Sequence, residues 1–182
     1  MCRGNPGYLR SLAARRYVLC SCAPGCHRRL RRTGSAIDPA SGNRGQTMAV
    51  TGGCLCGGVR FTYDGEIGPA GYCHCTDCRR CTGGAYTLSV RLLTSGFEVH
   101  CGSLGRFTKT GESGQALTRH FCSSCGSPIY TSFEHRPEFI HVKAGVLDDP
   151  SVVKPAHETW TSSRVVWAEI PSGITSYERG RI

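Results

Sequence analysis

The sequence predicts an all-β domain over residues 48–182, and three observations carry that expectation. Short runs alternate apolar and polar residues with a period of two, which gives a strand one buried face and one open face. Gly, Pro, Asp and Ser punctuate these runs at short intervals. Only residues 76–81 read as a short helix or turn. In the first run Val59, Phe61 and Tyr63 share a face. Leu88, Val90 and Leu92 alternate with Thr87, Ser89 and Arg91 in the second, and Ile140, Val142 and Ala144 alternate with Phe139, His141 and Lys143 in a later one. Shorter runs at 97–100, 117–121, 129–132 and 165–170 complete the expected set of antiparallel strands. No repeat of solenoid length interrupts the pattern.

A chain of 182 residues with 39% hydrophobic content has the material for one modest core. No apolar run approaches the roughly 18 residues of a spanning helix, so no membrane association is expected. Seven Tyr, six Phe and two Trp exclude low-complexity disorder of the whole chain. The formal charge of +9 is concentrated: residues 1–47 carry nine Arg and one acid, Asp38, and hold +8 of it. Residues 48–182 are therefore close to neutral. The basic leader has the charge of a transit peptide or an anionic-surface arm but little aromatic interleaving, and its apolar stretch at Tyr17 to Cys20 is too short for a secretory signal. Residues 1–47 are expected to be disordered or to precede the true start at Met48, and nucleic-acid contact is expected only through them.

Nine of the 13 cysteines lie in the domain, and seven of these form three clusters. They are Cys54 and Cys56, then Cys73, Cys75 and Cys78, then Cys122 and Cys125. A disulfide scaffold would ask for a dispersed, even set in an oxidising compartment. Close-spaced thiols on tight turns suit tetrahedral zinc instead. Seven ligands divide into four, which close a structural site, and three, which leave a coordination position open for chemistry. Spacing leaves the pairing open, and His74, His120 or His157 could close the second site.

Gly53-Cys54-Leu55-Cys56-Gly57-Gly58-Val59, Cys73-His74-Cys75-Thr76-Asp77-Cys78-Arg79-Arg80 and Phe121-Cys122-Ser123-Ser124-Cys125-Gly126 together resemble the glutathione-dependent formaldehyde-activating enzyme family. Gly145-Val146-Leu147-Asp148-Asp149-Pro150 and Pro155-Ala156-His157 extend the resemblance across about residues 50–170. It implies a zinc-bearing β-tent, a fold shared with non-catalytic relatives such as centromere protein V and a nucleotide-exchange-factor-like group. Carried over by position, Cys54, Cys56, Cys122 and Cys125 hold a structural zinc, and Cys73, Cys75 and Cys78 hold a second, catalytic one. The implied reaction joins glutathione to formaldehyde as S-(hydroxymethyl)glutathione, a carbon–sulfur lyase reaction run in the synthetic direction, in the cytoplasm. The opposing expectation is a non-catalytic zinc module that presents a surface to a macromolecule.

Other residues are weighed on their own chemistry. Arg79 and Arg80 follow the last ligand and suit the carboxylates of glutathione. Asp148 and Asp149 before Pro150 read first as a turn and second as a general base. Trp160 and Trp167 are expected in packing more than in a pocket. His74 is expected to face solvent, to bond backbone or to relay protons. Cys81 and Cys101 read as small hydrophobes, and Cys20, Cys22, Cys26 and His27 as a chance imitation of a zinc knuckle.

Overall fold

Alternation in the first three runs produces the predicted result: Val59, Phe61 and Tyr63 are essentially inaccessible, and so are Val90, Leu92, Ile140 and Val142. The computed structural model describes residues 49–111 and 114–180. Met48, the Arg-rich leader and the Cys20, Cys22, Cys26 and His27 group lie outside them. The described residues form eleven strands: β1 (Val50–Gly53), β2 (Arg60–Tyr63), β3 (Ala70–Cys73), β4 (Thr87–Leu93), β5 (Phe97–Cys101), β6 (Leu104–Thr110), β7 (Ala116–Cys122), β8 (Pro128–Phe133), β9 (Phe139–Lys143), β10 (Pro155–Thr159) and β11 (Thr175–Ser176). One α-helix, α1 (Thr76–Thr82), stands where the sequence predicts it.

The strands form a small sheet ordered β1-β2-β5 and a large one ordered β11-β10-β3-β4-β9-β8-β7-β6. Phe61 and Tyr63 of the small sheet join Val90, Leu92, Ile140 and Val142 of the large one in a single apolar cluster. Each such side chain contributes roughly 1.5–3 kcal/mol when fully buried. Tyr63 keeps its hydroxyl satisfied by donating to the Glu66 carbonyl at 2.8 Å.

Two expectations are corrected. Pairing is not antiparallel throughout, because β10 runs parallel to both β3 and β11. Residues 165–170 are not a strand: the chain turns there, Ala168 N–H donates to the Val165 carbonyl at 3.0 Å, and Val166 is fully exposed. Its apolar alternation meets no neighbouring strand. β6 escapes prediction for the converse reason, since as an edge strand it buries almost nothing to mark one face.

Candidate metal and thiol site

The first cysteine group joins the two sheets. Cys54 and Cys56 lie in the connection from β1 to β2, and Cys122 and Cys125 end β7 and turn towards β8. Gly57 and Gly126 each take a positive φ, 73° and 75°, and return an N–H to the carbonyl of Cys54 and of Cys122. A Cβ is disfavoured in that conformation, so each turn is closed by glycine. The four Sγ atoms all lie within 4.8 Å of one another. Cys54 Sγ accepts the Val59 N–H at 3.1 Å. The Ser127 hydroxyl and N–H draw Cys125 down to about 5. These are donors arranged for thiolate, the form that binds metal.

The second group is local. Cys73 ends β3, Cys75 caps α1 with its Sγ accepting the Cys78 N–H at 3.4 Å, and Cys78 lies in the first turn. The three Sγ atoms also lie within 4.8 Å of one another. Among the described residues no histidine or carboxylate joins them at that distance, so His74, His120 and His157 do not complete the set. Hydrogen bonds from Cys75 and Cys78 draw Cys73 down to about 3, while the shared proton pushes Cys78 up. Both donor sets suit a thiophilic divalent metal such as zinc: the first fills a tetrahedron, and the second leaves one corner. All nine described cysteines are unbridged. Cys81 and Cys101, outside both groups, are half-buried.

His74, between two of these thiols, faces neither solvent nor backbone with its ring. It is fully buried, packs edge-on to Tyr86 and lies 2.9 Å from Glu158 Oε2 through Nε2. Glu158 on β10 also accepts from Ser176 Oγ at 2.7 Å and Arg164 Nη1 at 3.3 Å. Burial alone would raise the Glu158 carboxyl, but the Ser176 and His74 hydrogen bonds outweigh it and hold it lowered. A buried pair of this kind fixes geometry, and removing one partner strands the other. The cysteine loop is thus held from below by β10, with the His74 N–H donating to Thr159 O at 3.0 Å as a second tie. From above, Asp77 of α1 meets Lys109 Nζ at 2.7 Å and Arg119 at 3.6 Å.

The three-thiol group opens into a cavity of about 430 Å³ lying on the polar face of the large sheet. The strand register arranges its floor in rows. Thr87 pairs with Cys73; Ser89 pairs with both Gly71 and Lys143; His141 pairs with both Arg91 and Thr131, which in turn pairs with Arg119. Gly71 lies against the His157 ring, and a Cβ there would fall 2.3 Å from Nε2, so a larger residue would have to displace the ring. Burial, reinforced by Lys143 and Arg91, pushes His141 down to about 4 and keeps its imidazole neutral. Arg91 lies over the Phe139 ring, 4.6 Å from its centroid.

The cavity's cations are Arg91, Arg119, Arg136 and Lys143, whereas Arg79 and Arg80 are not in its lining. Arg79 Nη2 donates to Thr76 Oγ1 at 3.5 Å and Arg80 is exposed. Sequence reasoning missed the cavity cations although the alternation already placed Arg91 and Lys143 opposite Val90 and Val142. Trp160 departs from expectation by lining the cavity, with a left-handed φ of 60° that non-glycine residues rarely adopt. Trp167 is 66% exposed. Asp148 is a turn residue: it pairs with Arg60 and accepts from Thr51 Oγ1, contacts that hold its carboxyl lowered, while Asp149 accepts the Ser151 N–H at 3.0 Å.

A family model described as glutathione-dependent formaldehyde-activating enzyme matches residues 49–163. A Halomonas elongata protein, provisionally named a glutathione-dependent formaldehyde-activating enzyme, is 29% identical over 69% of this chain and 83% of its own length. A crystal structure of a Rhodobacter sphaeroides protein aligns with a TM-score of 0.45 at 22% identity, covering 54% of this chain and 87% of that one. The match extends over most of the chain and takes in all seven clustered cysteines, and on that ground the chain belongs to the glutathione-dependent formaldehyde-activating enzyme family.

Proposed function

We propose that this chain is a zinc-dependent carbon–sulfur lyase acting in the synthetic direction, joining glutathione to formaldehyde as S-(hydroxymethyl)glutathione in the cytoplasm. One observation carries the reading: the three thiols Cys73, Cys75 and Cys78 stand in the wall of a cavity that also presents a surplus of cations. Membership of the family supports a thiol and an aldehyde as substrates. A cytoplasmic setting agrees with unbridged thiols, which persist in a reducing compartment. Among the described residues no helix is long and apolar enough to cross a membrane.

Zinc held by Cys73, Cys75 and Cys78 would acidify a thiol in its open position, so that sulfur reacts as thiolate near neutral pH. Every other contribution comes from the chain. Cys54, Cys56, Cys122 and Cys125 would hold a structural metal between the two sheets. His74 and Glu158 fix the loop that carries two of the three catalytic thiols. Arg91 stands four residues along β4 from Thr87, the partner of Cys73, about 13 Å at strand rise. Arg91 and Arg136 therefore suit the terminal carboxylates of a tripeptide whose thiol is at the cysteines, whereas Arg119 is engaged by Asp77. This role passes to them from Arg79 and Arg80, which stand outside the cavity.

The test is the rate of S-(hydroxymethyl)glutathione formation by zinc-loaded chain, with Cys75→Ser as control. Acceleration abolished by the substitution is expected. No acceleration with two zinc ions bound would sink the reaction and favour a non-catalytic zinc module.

A further inference from the structure

Lys143 is 9% exposed, yet among the described residues no carboxylate lies within ion-pair distance of its Nζ. Its hydrogen-bond partner is Ser89 Oγ at 3.5 Å, a long contact for an ammonium. A buried cation without a counter-charge is costly until an anion arrives. Lys143 and Ser89 are register partners, and both line the cavity beside the three thiols. Ser89 is two residues along β4 from Thr87, the partner of Cys73. Ser89 and Cys73 are thus diagonal neighbours, about 7–8 Å apart. The ammonium stands on the row next to the sulfurs, whereas Arg91 stands one row farther out.

We infer that Lys143 is a catalytic residue that takes up the negative charge formed on the aldehyde oxygen. The inference rests on the thiol–aldehyde reading above and assigns the groups by row. The outer guanidiniums meet charges the ligand always carries, and the inner ammonium meets the charge that exists only as the bond forms. In that step the thiolate sulfur bonds to the carbonyl carbon and the π electron pair moves to oxygen. The Lys143 ammonium then gives that oxygen a proton. The neutral amine is recharged by the proton released when the next thiol ionises. Such placement raises turnover because it binds the transition state more strongly than the bound reactants.

The experiment uses the zinc-loaded full chain, its Lys143→Met and Lys143→Gln variants, and two stable glutathione thioethers. S-(carboxymethyl)glutathione places an anion near the position of the developing oxyanion, and S-ethylglutathione places none. Calorimetry on wild type is expected to favour the carboxymethyl compound on the order of tenfold, the effect of one charge-assisted contact. Both variants should bind the two compounds equally. Turnover should fall on the order of 10²-fold with KM for glutathione nearly unchanged. A wild-type preference retained in the variants, or a raised KM with turnover intact, overturns the inference; the latter would make Lys143 a carboxylate anchor. Inactive wild type with two zinc ions bound sinks the underlying reaction and this inference together. Active wild type with an equally active, folded variant sinks the inference alone.

Discussion

The two cysteine groups differ in what they hold together, and Cys122→Ser compared with Cys75→Ser measures that difference. A metal held at the first group would tie Cys56 to Cys122 across 66 residues and link the connection between β1 and β2 to the end of β7. Treated as a cross-link over that loop, it removes about 4 kcal/mol of chain entropy from the unfolded state. That is a large share of the roughly 5–15 kcal/mol that stabilises a typical domain. The second group closes only the short span from Cys73 to Cys78, already shaped in part by the Cys78 N–H contact with Cys75 Sγ and by the Arg79 N–H donating to Cys75 O at 3.1 Å. Its entropic share is about 2 kcal/mol. Zinc-loaded Cys122→Ser should therefore melt about 15 °C below wild type, with Cys75→Ser displaced about half as far. Thermal unfolding followed by circular dichroism, with metal content measured on each sample, is the assay. Equal displacement of the two variants would refute the division into a structural and a functional group.

Two further outcomes follow from the cavity floor. His141 is pushed down to about 4 from 6.5 by burial and by Lys143, Arg91, His157 and Arg136, so between those pH values the unfolded chain binds a proton that the folded chain refuses. Stability should be unaffected by this group above pH 6.5 and fall by up to about 3 kcal/mol on the way to pH 4. In His141→Gln the urea midpoint should vary less over that interval, and an unchanged slope would exclude His141 as the source. Gly71→Ala should cost about 1–3 kcal/mol and displace the His157 ring, because the new Cβ lies 2.3–2.6 Å from three of its atoms. A wild-type urea midpoint for that variant would show that the ring does not bear on Gly71.

Local alternation made the core legible: the burial of Phe61, Tyr63, Val90, Leu92, Ile140 and Val142 was readable from a period of two. The helix at α1 was also expected from the local sequence, and within it one turn brings Cys75 and Cys78 together. What could not be read was the covering of the opposite face. Arg91, His141 and Lys143 alternate as a solvent face would, and become a cavity floor because α1 and Trp160 also contribute to the walls. The same limit hid the His74–Glu158 pair, whose members are 84 residues apart and meet only because β10 lies parallel beside β3. Arg79 and Arg80 drew attention by adjacency in sequence, while the cations that reach the site come from β4, β7 and β9 and from Arg136, just before β9.

The charge of the cavity bears on both halves of the chemistry. Asp77 is the acid of its lining, and that carboxylate is already engaged by Lys109 and Arg119. Arg91, Arg136 and Lys143 therefore dominate the field over the three-thiol group. A positive field in a recessed site concentrates anions and favours the thiolate over the thiol. An acidic thiol gains from both effects, through its carboxylates on arrival and through its sulfur once bound, whereas a neutral thiol gains only from the second. In the proposed reaction, discrimination among thiols would thus rest on the same side chains that promote ionisation. Under the proposed reaction, the polar face of the large sheet, and not the cysteine loop alone, would set which thiol reacts.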